Sequence, residues 1–262
     1  MDHLKKLSTV LCFLLLQFGV EGRGLSYSIY QKSCPQVEDI VRAALGPIFL
    51  SDPSSPPAFL RLLFHDCQVQ GCDASILVDP AGGKTPLEMA SSKNFGVRKR
   101  ESISLIKSVV EAQCPGTVSC ADILVMAARD AVAFSGGPWI KGSAAEARRR
   151  WQGQRNGARV RSIPEVELPE GSLISNSTFV VNDPSAFTFD NHYYSNAMHG
   201  RGILRVDAEV SSDSRTAPIV SSFAADQSEF FRYFASAFVK LSTSGVLTGN
   251  QGVIRKSCNR LD

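Results

Sequence analysis

Arg61 and His65 stand four residues apart in the run Arg-Leu-Leu-Phe-His-Asp-Cys-Gln-Val-Gln-Gly-Cys-Asp-Ala-Ser, Arg61–Ser75. On a helix that spacing puts both side chains on the same side. A neutral imidazole beside a fixed guanidinium suits the splitting of a peroxide. The imidazole takes the proton from one oxygen and returns it to the other, and the guanidinium stabilises the charge that develops as the O–O bond breaks. Taken alone, the pair also reads as a surface Arg–His pair. Asp66 follows His65 about a hundred degrees round the helix and faces elsewhere. Asp66, Asp73 and Ser75 bring hard oxygens around Gly71 and the close pair Cys67 and Cys72. Completed by backbone carbonyls, they suit a calcium loop of a spacing different from the EF-hand; a polar turn is the other reading.

Helices must position these groups. Gln36–Leu45 places Val37, Ile40, Val41 and Ala44 on one face, with Gly46 and Pro47 as its stop. Pro56–Pro57 opens a second helix carrying Phe59, Leu60, Leu63 and Phe64. Glu101–Gln113 repeats Ile103, Ile106, Val109 and Val110 at helical spacing. Ser119 can cap the next helix, which holds Ile123, Leu124, Met126, Ala127 and Ala131 and ends at Gly136–Gly137. Phe230, Phe231, Phe234, Phe238 and Leu241 form a late apolar stripe that reads as core. Few segments alternate in the strand manner, so the class is mainly α. From Pro138 to Asn182 no amphipathic period holds, and Arg148, Arg149, Arg150, Arg155, Arg159 and Arg161 crowd around Trp151. This stretch reads as a solvated or disordered segment rather than a nucleic-acid patch.

Met1–Val20 reads as a secretory signal, with Lys5 and Lys6 ahead of a short apolar run. The mature chain is expected to start near Leu25, soluble and exported, with no membrane span. Six cysteines then remain: Cys34, Cys67, Cys72, Cys114, Cys120 and Cys258. An even count in an exported chain suggests three disulfides, and six cysteines allow fifteen pairings. Asn176-Ser-Thr is a glycosylation sequon. The net charge of +3 implies no particular partner.

The run Arg61–Ser75 closely resembles the distal helix and calcium loop of the secretory plant peroxidases (class III). Ser33-Cys34-Pro35, Cys114-Pro-Gly-Thr-Val-Ser-Cys120-Ala-Asp-Ile-Leu, Ala127-Ala-Arg-Asp-Ala-Val, Gly136-Gly-Pro-Trp139, Phe189-Asp-Asn-His-Tyr-Tyr194 and Leu247–Arg255 follow in the family's order. The resemblance implies a mainly α fold of two helical lobes around a haem cleft. It implies haem b and calcium as cofactors, and hydrogen peroxide and phenolic-type donors as partners of a secreted, extracellular or cell-wall monomer. It pairs Cys34 with Cys114, Cys67 with Cys72, and Cys120 with Cys258. Arg61 and His65 would cleave peroxide, with Phe64 against the haem face. Asn94 would hydrogen-bond the distal histidine and Glu88 would support that network beside the calcium. Calcium would be held by Asp66, Asp73 and Ser75 and by the carbonyls of Val69 and Gly71. Ser185 and Asp190 resemble ligands of a second calcium site, and Asp213 the acid that partners the proximal histidine.

The chain departs from the family at the proximal helix. The Gly-Ala-His-Thr motif that supplies the iron's axial histidine is missing, and the only histidines are His3, His65, His192 and His199. The threonine of the second calcium site and the fourth disulfide belong to the same missing region. The expected organisation is a signal peptide over 1–24, a distal half over 25–139, an Arg-rich replacement over 140–178 and the rest of the proximal half over 179–262. Three functional classes stay open: a haem peroxidase, which the family assignment favours; a catalytically impaired or haem-free pseudo-peroxidase or binding module from a truncated or mis-spliced gene product; and a non-functional product that does not fold. His192 and His199 read as surface residues, with a substitute ligand as the alternative.

Overall fold

A computed structural model describes residues 25–26, 28–80, 88–140 and 184–261. The signal peptide, the Arg-rich stretch and Asn176 lie outside the described residues.

Val37, Val41, Leu45 and Phe49 recur every four residues and are all buried along helix α1 (Val37–Ser51). The expected stop at Gly46–Pro47 is corrected here, because the helix runs through Pro47 to Ser51. Proline removes one helical hydrogen bond and costs about 3 kcal/mol in a helix interior. The next turn offsets much of this by burying Phe49, whose ring packs 5.9 Å from Phe59 and 4.7 Å from Phe134 between centroids. Burying such a side chain is worth about 1.5–3 kcal/mol.

Helix α2 (Ser55–Gln68) opens on prolines in its first turn, where a missing N–H costs nothing. Phe59, Leu62 and Leu63 are fully buried on one of its faces. They belong to one core with Ile103, Ile106 and Val110 of α3 (Arg100–Gln113) and Ile123, Leu124, Ala127 and Ala131 of α4 (Cys120–Phe134). The small alanines let α2 lie most closely against α4. Ser119 caps α4 as expected, its Oγ accepting from the Asp122 N–H at 3.0 Å.

Four further helices follow, α5 (His192–Met198), α6 (Arg205–Ser212), α7 (Ala217–Ala225) and α8 (Gln227–Ser242). The phenylalanine stripe of α8 becomes an aromatic cluster in which Phe189 lies 5.5 Å from Phe230 and 4.6 Å from Phe234. Phe238 continues the stripe into the main core, and α8 also touches α2. Among the described residues the regular structure is entirely helical, as the sequence patterning predicts.

Three disulfides join Cys34 to Cys114, Cys67 to Cys72 and Cys120 to Cys258. These are the pairings that the resemblance implies. The first and third span 80 and 138 residues, and loop closure of that length contributes on the order of 4–5 kcal/mol each.

Two glycine substitutions separate chain entropy from packing. A Cβ on Gly46 would meet nothing within 4 Å, so Gly46→Ala is expected to stabilise by about 0.5–1 kcal/mol. A Cβ on Gly137 would lie 2.6 Å from both Phe189 Cδ1 and Val132 Cγ1, so Gly137→Ala should cost about 1–3 kcal/mol. Urea midpoints of the two variants, shifted in opposite directions, are the check.

Candidate active site and cation loop

The face of α2 opposite the core carries Arg61, Phe64 and His65. Phe64 is 52% exposed and Phe95, beside the Arg61 head, is 68% exposed. The Arg61 guanidinium is held by backbone rather than by a carboxylate. Its Nη2 donates to the Phe95 carbonyl at 2.9 Å, its Nη1 to the Gly96 carbonyl at 3.3 Å and its Nε to His65 Nε2 at 3.3 Å. The charge is therefore fixed in place yet not cancelled by a neighbouring anion.

The tautomer of His65 follows from its partners. Asn94 Nδ2 donates to the Glu88 carbonyl at 2.7 Å. A carbonyl only accepts, so the amide must turn its Oδ1 the other way. That Oδ1 lies 2.8 Å from His65 Nδ1, which must then carry the proton. Nε2 is left as the basic nitrogen, facing Arg61 and the open side. Asn94 is buried, in a 3-10 turn over Ser92–Asn94 that is fixed by Ser91 Oγ accepting from the Lys93 N–H. Arg61, His65 and Asn94 thus come together in one hydrogen-bonded group. Glu88 serves this chain through its backbone carbonyl, and its carboxylate accepts from Ser75 Oγ at 3.0 Å instead.

Asp66 points away from His65 and is fully buried. Its Oδ2 accepts from the Ala74 N–H at 3.0 Å, while its Oδ1 is buried without a hydrogen-bond partner. Burial, then the nearby charges of Asp73 and Glu88, push its pKa up to about 7. The loop after α2 is closed by the Cys67–Cys72 disulfide. Gly71 offers its carbonyl to the Asp73 N–H, and Asp73 Oδ1 accepts from the Ser75 N–H at 2.9 Å. Val69 caps the C-terminus of α2, half exposed. Val69, Gly71, Asp73 and Ser75 thus lie in the loop that follows Asp66 on α2, with Glu88 reaching it from a separate turn through Ser75, although among the described residues no three His, Cys, Asp or Glu side chains converge as a metal cluster. A cation here would rely on carbonyls and the hydroxyl as well as on carboxylates.

The C-terminal candidates gather elsewhere. Ser185 Oγ and Asp190 Oδ2 lie 3.0 and 2.9 Å from His192 Nδ1. Ser185 and Asp190 therefore converge on an imidazole. His199 sits at the end of α5, exposed, with its Nδ1 2.7 Å from the Ser195 carbonyl. Asp213 is bound by the Arg215 guanidinium, which lowers its pKa. Helix α5, which carries His192, packs chiefly on α7 and α6.

Several contributors carry no local sequence signal. These are the carbonyls of Phe95 and Gly96, and Arg100, which donates to the carbonyls of Ile76 and Leu77. Arg255 and Gly245 press on the same loop from the far end of the chain.

A family model described as peroxidase matches residues 37–165 and 165–226. Peroxidase 29 of Arabidopsis thaliana is 41% identical over an aligned span of 315 residues, covering 96% of this chain and 93% of that protein. Peroxidase 44 of the same plant is 35% identical, with 89% and 92% covered, and Peroxidase 18 is 33% identical, with 98% and 96% covered. The 315-residue span is longer than the 262-residue chain, so that relative carries residues opposite which this chain has none. The break between the two family matches falls at residue 165, within the Arg-rich stretch. Family membership implies haem, and usually calcium. With these matches and the distal geometry together, the chain belongs to the peroxidase family, as a secretory plant peroxidase whose function is that of a haem peroxidase.

Proposed function

We propose that Arg61, His65 and Asn94 are the peroxide-cleaving group of this chain, acting on hydrogen peroxide with phenolic-type compounds as electron donors in the extracellular space. The observation that carries this reading is the hydrogen-bond chain from the Glu88 carbonyl through Asn94 to His65, which leaves Nε2 basic beside Arg61. His65 takes the peroxide proton at Nε2 and returns it to the departing oxygen. Arg61 stabilises the negative charge on that oxygen as the bond breaks. Haem, when bound, supplies the electrons for this cleavage. The open apolar rings of Phe64 and Phe95 beside the pair suit one face of such a macrocycle.

The other face fits less well. His192 and His199 are the only histidines after His65, and they sit on and just after α5, a short helix that packs chiefly on α6 and α7. An axial imidazole needs a fixed position as well as a partner. We therefore read the missing proximal segment as lost between Trp139 and Phe179, and the chain as weak in iron ligation. Haem titrated into this chain should give little Soret absorbance. Restoring a family-type segment between those residues should recover both the band and turnover, and His65→Ala in the restored chain should then slow peroxide cleavage by roughly a hundredfold or more. Full activity in the original chain, abolished by His192→Ala or His199→Ala, would identify a substitute ligand.

Calcium fits the loop of Val69, Gly71, Asp73 and Ser75 with Asp66. A buried carboxylate oxygen without a partner is costly, and a hard cation shared with neighbouring carbonyls removes that cost. Chelator should lower the melting temperature of the parent and barely change that of Asp66→Ala. Equal sensitivity in both would count against the site.

The raised pKa of Asp66 sets the pH dependence. Without a cation the folded chain keeps this proton up to about pH 7, whereas an unfolded aspartate loses it at about pH 4. The folded state binds the extra proton within that window, so its contribution is full below the window and is lost as pH rises through 7. Calcium competes with the same proton. Its binding should therefore weaken as pH falls below 7, with proton release measurable by calorimetry in buffers of different ionisation enthalpy.

A further inference from the structure

We propose that the C-terminal segment Ser244–Cys258 is the second half of the distal cation loop, with Arg255 as its positioning residue. The inference rests on the calcium reading above and goes beyond it by assigning who builds the site. Within five residues the loop has three positive-φ positions that a short peptide does not hold by itself. Gln70 and Ala74 lie in the left-handed region at φ 63° and 61°, although neither is glycine, and Gly71 lies at φ 121°. Such conformations persist where the surroundings over-determine them.

Those surroundings come from more than 170 residues away. Arg255 is 6% exposed. Its Nη1 donates to the Cys258 carbonyl at 3.0 Å, and its Nη2 to the Ala74 carbonyl at 2.8 Å and the Asp73 carbonyl at 3.5 Å. The Ala74 peptide is thereby gripped from both sides, because its N–H donates to Asp66 Oδ2. Holding that peptide sets which Asp66 oxygen is engaged and which is left for a cation.

The opposite side of the loop is gripped by backbone. The Cys72 N–H donates to the Ser244 carbonyl at 3.0 Å. Gly71 and Gly245 meet so closely that a Cβ on Gly71 would stand 2.4 Å from the Gly245 oxygen, and a Cβ on Gly245 would stand 2.8 Å from Gly71 Cα. Gly71 contributes one of the proposed ligand carbonyls, so Gly245 decides where that carbonyl sits. The Cys120–Cys258 disulfide ties this tail to the start of α4, giving the clamp a rigid base.

The test is calcium titration calorimetry on the full chain and on Arg255→Met, Arg255→Lys and Gly245→Ala, paired with melting curves in calcium and in chelator. Arg255→Met and Gly245→Ala should each weaken calcium binding by about ten- to a hundredfold, the usual scale for residues that orient metal ligands. Arg255→Lys should recover part of that loss. A clamp that only stabilises the fold would lower melting equally in calcium and chelator and leave the calcium dissociation constant within about twofold, and that result overturns the proposal. Should Arg255→Met not fold, unchanged affinity in both Arg255→Lys and Gly245→Ala overturns it equally. A parent chain that binds no calcium overturns the calcium reading and the proposal with it, whereas a binding parent with unaffected variants overturns the clamp alone.

Discussion

The buried carboxylate of Asp66 is the constraint around which the distal half is arranged. It is adjacent in sequence to His65 and faces the protein interior while His65 faces the open side. Its Oδ2 accepts from the Ala74 N–H, the Ile76 N–H also acts on the carboxylate, and Oδ1 has no close hydrogen-bond partner among the described residues. A carboxyl group in that position is tolerated when it is protonated, or ionised beside a cation. Asp66 sits on the same turn of helix as the His65 imidazole.

That turn belongs to a helix with two very different sides. Phe59, Leu62 and Leu63 fasten α2 to α4 through the core, so the backbone beneath Arg61 and His65 has little freedom. On the other side the polar groups are oriented by carbonyls of a separate loop, at Glu88, Phe95 and Gly96. Carbonyl acceptors orient a guanidinium and an amide without neutralising charge. This suits a site in which Arg61 must respond to charge that appears only during the reaction.

The C-terminal part packs by a different principle. Its aromatic rings associate edge to face and stacked, from Phe189 through Phe230 to Phe234 and Phe238, and α8 lies against α2 and the Cys67–Cys72 loop. The same packing keeps α5, with His192 and His199, chiefly on α6 and α7. The sequence has no Gly-Ala-His-Thr run in this part, and its two histidines, His192 and His199, lie within and just after α5.

Much of this was legible in the residues. The four-residue spacing of Arg61 and His65, the apolar periods of α2, α3 and α4 and the Ser119 cap are local properties, and local backbone geometry suffices to express them. The expected stop at Pro47 failed because a distant gain, the packing of Phe49 on Phe59 and Phe134, outweighed a local cost. The cysteine pairing was open by counting alone and came from family likeness. The sequence by itself determined the helical class, the shared helix side of Arg61 and His65 and the lack of an axial histidine motif, because each depends on residue type and short-range order. Only the tertiary structure decided the tautomer of His65, the unsatisfied oxygen of Asp66 and the grip of Arg255 and Gly245 on the loop. Each of these depends on which backbone atom from a remote segment arrives within about 3 Å, and no spacing along the chain encodes that arrival.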